Sequence, residues 1–255
     1  MRSFGRDPSG LLFILLIFLF LPVLTGGTFF QRRDPHVVIA ILLSFVVATT
    51  VHEFMHAYVA WRLGDDTAQR LGRITLNPMA HFEPFGFIGM VMIAFGFGAI
   101  GWGKPVPVNP NAFHHGIRRR QVGMALVAVA GPLSNIAQAA VVAIFVRLCA
   151  RSGIELGDLG FYLSWFIYVN ILLAAFNMIP IPPLDGHKIL VGLLPNFWYP
   201  VLAPLERYGF VILFAFILLG RSSGGGIIDG MIDPGLNLLG RAFINEPVVV
   251  YLSRY

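Results

Sequence analysis

The sequence predicts an all-α polytopic membrane protein, a bundle of about five or six transmembrane helices with a short β or re-entrant segment after the second. Three observations carry that expectation. Charged residues make up 12% of the 255-residue chain, about half of the ~25% usual in soluble domains. Apolar and aromatic residues reach 56%, and mean hydropathy is +0.75, which leaves too little polar surface to cover a globule in water. The apolar residues are also gathered into runs long enough to cross a bilayer, with short polar patches between them.

The elements follow in order. The basic start MRSFGR precedes an apolar run from Leu11 through Phe30. A secretory signal peptide begins in the same way, but no A-x-A-like cleavage site follows, so residues 1–36 are expected to keep an N-terminal transmembrane helix. The polar patch QRRDPH, residues 31–36, separates it from a second span, Val37 to about Leu63. Residues 64–120 change character: they hold Gly, Pro, Asn and clustered arginines around one apolar run, Phe85–Gly101. That run has 17 residues and five glycines, so a re-entrant segment and a further spanning helix both fit it. On either side, RLGRITLNP (residues 70–78) and GKPVPVNP (residues 103–110) read as extended, because their β-branched residues and prolines disfavour helix. Two more spans follow, about Val122–Ala150 and Phe161–Met178. IPIPPLDGHKIL then begins non-helically, since Pro180, Pro182 and Pro183 lack N–H donors. A last apolar stretch, Tyr208–Gly220, leads to a glycine run and a weakly amphipathic tail. Residues 1–255 are therefore expected to form one membrane-embedded domain. Its core covers about 37–195, with C-terminal helices in 196–255.

Charge and cysteine usage narrow the class. The net charge is +5, but no basic stripe with interleaved aromatics marks a nucleic-acid surface, and none is expected as a partner. Most of the 18 Lys and Arg residues, among them Arg62, Arg70, Arg73, Lys104 and Arg118 to Arg120, fall on one side if the N-terminus is cytosolic. That is the orientation the positive-inside rule selects, for a multi-pass protein of the cell membrane. The single cysteine, Cys149, lies in an apolar run and is expected to pack as a small hydrophobe.

Ionisable groups inside a spanning helix are costly and mark functional sites. The second span holds His52, Glu53 and His56 in TTVHEFMHAYVAW. On a helix the two histidines lie one turn apart on one face, able to share a Zn²⁺, and Glu53 beside them can reach the water such an ion activates. Packed histidines with a neutralised glutamate, as in a proton relay, are the alternative. A zinc site needs a third protein ligand. Asp185, in P-P-L-D-G, is a candidate because it closes a proline-interrupted break at the end of a span; capping the helix that follows it is the other role open to it. His81, His114 and His115 lie in the loop region, where local hydrogen bonding or solvation is expected in preference to a second metal.

HEFMHAYVA, GWGKPVPVNP, GPLSN (residues 131–135) and NMIPIPPLDG (residues 177–186) together resemble the site-2 protease family of intramembrane zinc metalloproteases. They occur in the family's order over roughly residues 37–195. The chain most resembles small forms without accessory domains. The interval between Ala150 and Phe161 is too short for a PDZ-like insertion, and the stretch after Gly220 is too short for a nucleotide-sensing CBS domain. The resemblance implies His52, His56 and Asp185 as ligands of one Zn²⁺ per chain and Glu53 as the catalytic acid and base. It also implies an active site within the bilayer, nearer the cytosolic side, and transmembrane proteins as substrates. The G-P-x-x-N asparagine maps to Asn135, which is expected either to donate to the developing oxyanion or to make an interhelical hydrogen bond. Asn177 is expected to be structural, at the break before Pro180.

A protease cannot attack a carbonyl locked in an intact helix, so a spanning substrate must unwind. Arg73–Asn77 or Pro105–Asn109 is expected to pair with it as an added strand. A metal or proton carrier, or an inactive scaffold binding spanning helices, is the competing function. The sequence names no substrate and no oligomeric state.

Overall fold

The computed structural model describes residues 34–95, 101–114 and 120–198, with scattered residues from 200 onward. Helix α1 spans Pro35–Arg62, α2 Pro84–Ala94, α3 Arg120–Arg151, α4 Gly157–Asn177 and α5 Asp185–Leu193. Among the described residues there is no strand. Among the described residues, helices α1, α3 and α4 are the three long and apolar enough to cross a membrane. The expected N-terminal span, Leu11–Phe30, lies outside the described residues, as does most of the stretch after Ala215.

Helix α1 has local start and stop signals. Asp34 caps α1 by accepting from the backbone N–H of His36 at 2.8 Å, with Pro35 in the first turn, where its missing N–H costs nothing. The helix ends in a Schellman turn. Gly64 takes φ +108° and donates to Trp61 O, while Asp65 N donates to Ala60 O, both at 3.0 Å. Helix α3 ends the same way at Gly153, and residues 152–156 join it to α4. Cys149 is free and buried there.

Helix α3 is the centre of the bundle and packs against α1, α4 and α5. One apolar cluster joins Ala139 and Ala143 of α3 to Ile167 and Ile171 of α4, with Ile179, Leu184 and Leu213 beyond. Many large apolar side chains on the outer faces are exposed, Leu43, Val141 and Leu148 among them, as expected of surfaces that face lipid.

Of the Phe85–Gly101 run, Phe85–Ala94 belongs to helix α2, 11 residues long, and residues 96–100 lie outside the described residues. One expectation changes. Residues 70–78 are not an extended segment. Arg70 ends the helical turn Thr67–Arg70, Gly72 follows with φ +66°, and Pro78 opens a 3-10 turn. The buried Asp65 opens the turn Thr67–Arg70, its carboxylate accepting from Thr67 N and Thr67 Oγ1 and, across the chain, from Asn109 N at 2.6 Å; the turn closes through Gly72 N to Gln69 O and Arg73 N to Ala68 O, both at 2.9 Å. Residues 101–109 do run without helix, held at both ends. Lys104 N donates to His81 O at 2.9 Å, its carbonyl accepts from Arg73 Nη2, and Asn109 is held by Asp65.

Candidate metal centre

His52 and His56 occupy successive turns of α1, with ring centroids 4.6 Å apart and planes nearly perpendicular. Asp185 is the first residue of α5, and its helix makes no side-chain cap. Its carboxylate turns toward α1 instead: Asp185 Oδ2 lies 3.2 Å from His52 Nε2 and 3.1 Å from His56 Nε2, and the two Nε2 atoms are 3.0 Å apart. All three residues are buried.

The remaining polar atom of each residue has its own partner. His52 Nδ1 donates to Asn135 Oδ1 at 2.6 Å, and His56 Nδ1 donates to Val127 O at 2.8 Å. Lys188 Nζ donates to Asp185 Oδ1 at 3.3 Å. With both Nδ1 atoms protonated, each Nε2 presents a lone pair, and three acceptors converge on one point. Only a proton or a cation relieves that arrangement. Zinc held at ~2.0 Å by a tetrahedral set has its ligand atoms about 3.3 Å apart, close to the triangle seen here. The donor set, two imidazoles and a carboxylate with second partners fixed, is the type that suits zinc. Among the described residues this is the group able to hold a metal ion. His81 Nε2 donates to Thr75 O at 2.8 Å, His114 packs against Gly64, and His115 lies outside the described residues.

Glu53 shares a cavity of about 520 Å³ with these residues. The apolar wall includes Phe45, Met124, Phe176 and Leu213; the other side is the 101–109 segment, through Gly103, Val106 and Val108. A Cβ at Gly103 would stand 2.7 Å from Thr49 Cγ2 and 3.4 Å from Glu53 Oε1, so glycine lets the backbone lie directly over the glutamate. Asn177 also lines the cavity, with its Nδ2 donating to Leu173 O.

Asn135 is fully buried, and both hydrogens of its amide are engaged, with Ala48 O at 3.2 Å and Asn170 Oδ1 at 2.9 Å. In this arrangement it has no free donor for an oxyanion, and it does not line the cavity. Residues outside the sequence-derived set contribute as well. Gly131 brings the α3 backbone against both rings, since a Cβ there would lie 2.5 Å from His56 Nε2 and 2.6 Å from His52 Cε1. Its signal was a glycine ahead of a proline inside an apolar helix, which costs about 1 kcal/mol relative to alanine and needs a reason. Outside the spans, burial and the nearby Arg73 hold the His81 ring below the usual histidine pKa, and burial lowers that of Arg73 itself.

Comparisons with known proteins agree with this chemistry. Residues 151–220 match peptidase family M50. The chain is 35% identical over 214 residues to "Putative zinc metalloprotease YwhC" of Bacillus subtilis, an alignment covering 82% of this chain and 91% of that protein. It is 29% identical over 185 residues to "Putative zinc metalloprotease Rip2" of Mycolicibacterium smegmatis, covering 71% and 68%. A further relative, "Putative zinc metalloprotease MJ0611" of Methanocaldococcus jannaschii, is 38% identical over 89 residues, 34% of this chain and 44% of that one. No solved structure matches the chain.

Proposed function

The chain belongs to peptidase family M50, the site-2 protease family of membrane zinc metalloproteases, and from that premise we propose that it is an intramembrane endopeptidase cutting peptide bonds in or near the spanning segments of other membrane proteins. The observation that carries the reading is the convergence of His52, His56 and Asp185 beside Glu53, on a helix long and apolar enough to span, at one cavity. His52 lies ten residues before the end of α1, ~15 Å at helical rise, which supports a site at membrane depth.

In this reading His52, His56 and Asp185 would hold the zinc, with Nε2, Nε2 and Oδ2 as the available ligand atoms. The chemistry a bound zinc supplies is Lewis acidity, which makes water more acidic and an amide carbonyl more electrophilic. Glu53 takes the proton from the attacking water, then returns it to the amide nitrogen as the C–N bond breaks. Asn135 and Val127 O keep the imidazoles oriented, and Lys188 occupies the second oxygen of Asp185. Val106 and Val108, in a segment held at Lys104 and Asn109, offer backbone to an unwound substrate as an added strand. The core is read as residues 37–195, in the cell membrane, with the site toward the cytosol on the Lys and Arg distribution.

The test uses the purified full chain in liposomes with a single-span substrate. Glu53→Gln is expected to keep near-stoichiometric zinc and to lose cleavage by about 10²–10⁴-fold, the usual contribution of a positioned acid-base group. Equal cleavage by both proteins would overturn the reading.

A further inference from the structure

A chain of amides runs from the backbone of α4 to the metal centre. Asn170, fully buried on α4, donates through Nδ2 to the carbonyl of Phe166 at 2.9 Å. Its Oδ1 accepts from Asn135 Nδ2 at 2.9 Å. The same nitrogen of Asn135 donates to Ala48 O on α1, and Asn135 Oδ1 accepts from His52 Nδ1 at 2.6 Å.

A carboxamide has nearly the same shape when turned end for end, so its direction is decided by its partners. Here main-chain carbonyls decide it. Phe166 O can only accept, so Asn170 must give it nitrogen and turn its oxygen to Asn135. Ala48 O and Asn170 Oδ1 can only accept, so Asn135 must give both its nitrogen and turn its oxygen to His52. His52 Nδ1, facing an acceptor alone, carries the ring proton. Nε2 is left as a lone pair aimed at His56 and Asp185.

We infer that Asn170 is a positioning residue for zinc binding, acting through Asn135 to fix the ring orientation and tautomer of His52. This rests on the reading of His52, His56 and Asp185 as ligands. Without Asn170, Asn135 keeps only Ala48 O to hold its direction, and the amide can turn its nitrogen toward His52. The turned state offers His52 a donor, which favours the tautomer with its proton on Nε2, where the metal would sit. Partners at this level usually contribute 10–100-fold in metal affinity.

The test measures zinc affinity of the purified full chain by competition with a chromophoric chelator, together with the visible spectrum of the cobalt(II)-substituted protein. Asn135→Leu is expected to weaken zinc by about 10–100-fold, and Asn170→Leu by about tenfold, the lower end of that range. Asn170→Ser is a milder deletion: its hydroxyl bonds back to its own helix and leaves Asn135 without an acceptor, so it is expected to match Asn170→Leu. Asn170→Asp, held as the neutral acid by burial, donates its O–H to Phe166 O and keeps its other oxygen as the acceptor, so it should recover most of the affinity and the native cobalt spectrum. In an Asn135→Leu background the effect of Asn170→Leu should vanish, because a residue acting through Asn135 has nothing left to act on. Unchanged affinity in both Asn170→Leu and Asn170→Ser would overturn the inference. So would the same loss with and without Asn135, which marks a packing role. Asp185→Ala separates the two levels: if it binds zinc as tightly as the natural chain, the ligand reading itself falls.

Discussion

Replacing Gly131 by alanine adds one methyl group where α3 meets the two imidazoles. The new Cβ would stand 2.5 Å from His56 Nε2 and Cε1 and 2.6 Å from His52 Cε1, against the ~3.5 Å of an ordinary contact. About 1 Å must be found somewhere. The rings cannot swing freely, because each Nδ1 is tied, His52 to Asn135 and His56 to Val127 O of α3 itself. Overpacking of this kind costs about 1–3 kcal/mol, and the gain in helix propensity from Gly to Ala returns about 1 kcal/mol. The metal-free fold should therefore lose little, at most about 2 kcal/mol. Ligand positions, however, must hold to within about 0.2 Å, so zinc affinity should fall by about 100-fold or more, ~2.7 kcal/mol. Chelator competition and thermal unfolding of the metal-free protein, in one detergent, read the two quantities separately. Wild-type zinc affinity in Gly131→Ala, at unaltered stability, would refute the close packing of α3 on the ligand rings.

Other expectations follow from the surroundings of the site. Lys188→Met removes the partner of Asp185 Oδ1, but the lysine is half exposed, so its worth is ~0.2–1 kcal/mol and zinc should weaken by about fivefold at most; a much larger loss in the same competition assay would give Lys188 a different role. Val106→Pro removes one backbone N–H from the 101–109 segment, and should abolish cleavage of a spanning substrate while leaving zinc affinity unchanged; unchanged cleavage ends the added-strand proposal. His81 is held below the usual histidine pKa by burial, so the folded state resists its protonation. Its stabilising contribution is present above the ordinary value near pH 6.5 and is lost as pH falls through the depressed folded value. The thermal stability difference between the natural chain and His81→Gln should accordingly shrink as the pH is lowered below the ordinary histidine value, and a constant difference would contradict it.

Hydropathy alone located the long helices, because lipid selects for side chains one by one. Val37 to Leu63 is expected, and Pro35–Arg62 is helical; Val122–Ala150 is expected, and the helix runs Arg120–Arg151. Residues 70–78 depart from the extended reading because the turn Thr67–Arg70 closes through Gly72, with Gly72 N donating to Gln69 O and Arg73 N to Ala68 O, and β propensity summed residue by residue does not register that turn. The pairing of His52 with His56 was visible as an i,i+4 spacing on one helix. The approach of Asp185, 133 residues away from His52, required either the fold or a family likeness. Asn170 gave no signal of this role: an asparagine in an apolar span reads as an interhelical bond, and its link to His52 exists only once α1, α3 and α4 are packed together.

The most direct measurement is to identify, by mass spectrometry, the bond that the zinc-loaded full chain cuts in a single-span substrate reconstituted with it in liposomes. Cleavage within or at the border of the apolar stretch, lost on zinc chelation, restored by added zinc and missing with Glu53→Gln, is the expected result. Cleavage confined to the polar flanks, or cleavage indifferent to zinc and to Glu53, would contradict an intramembrane metalloprotease built on His52, His56 and Asp185.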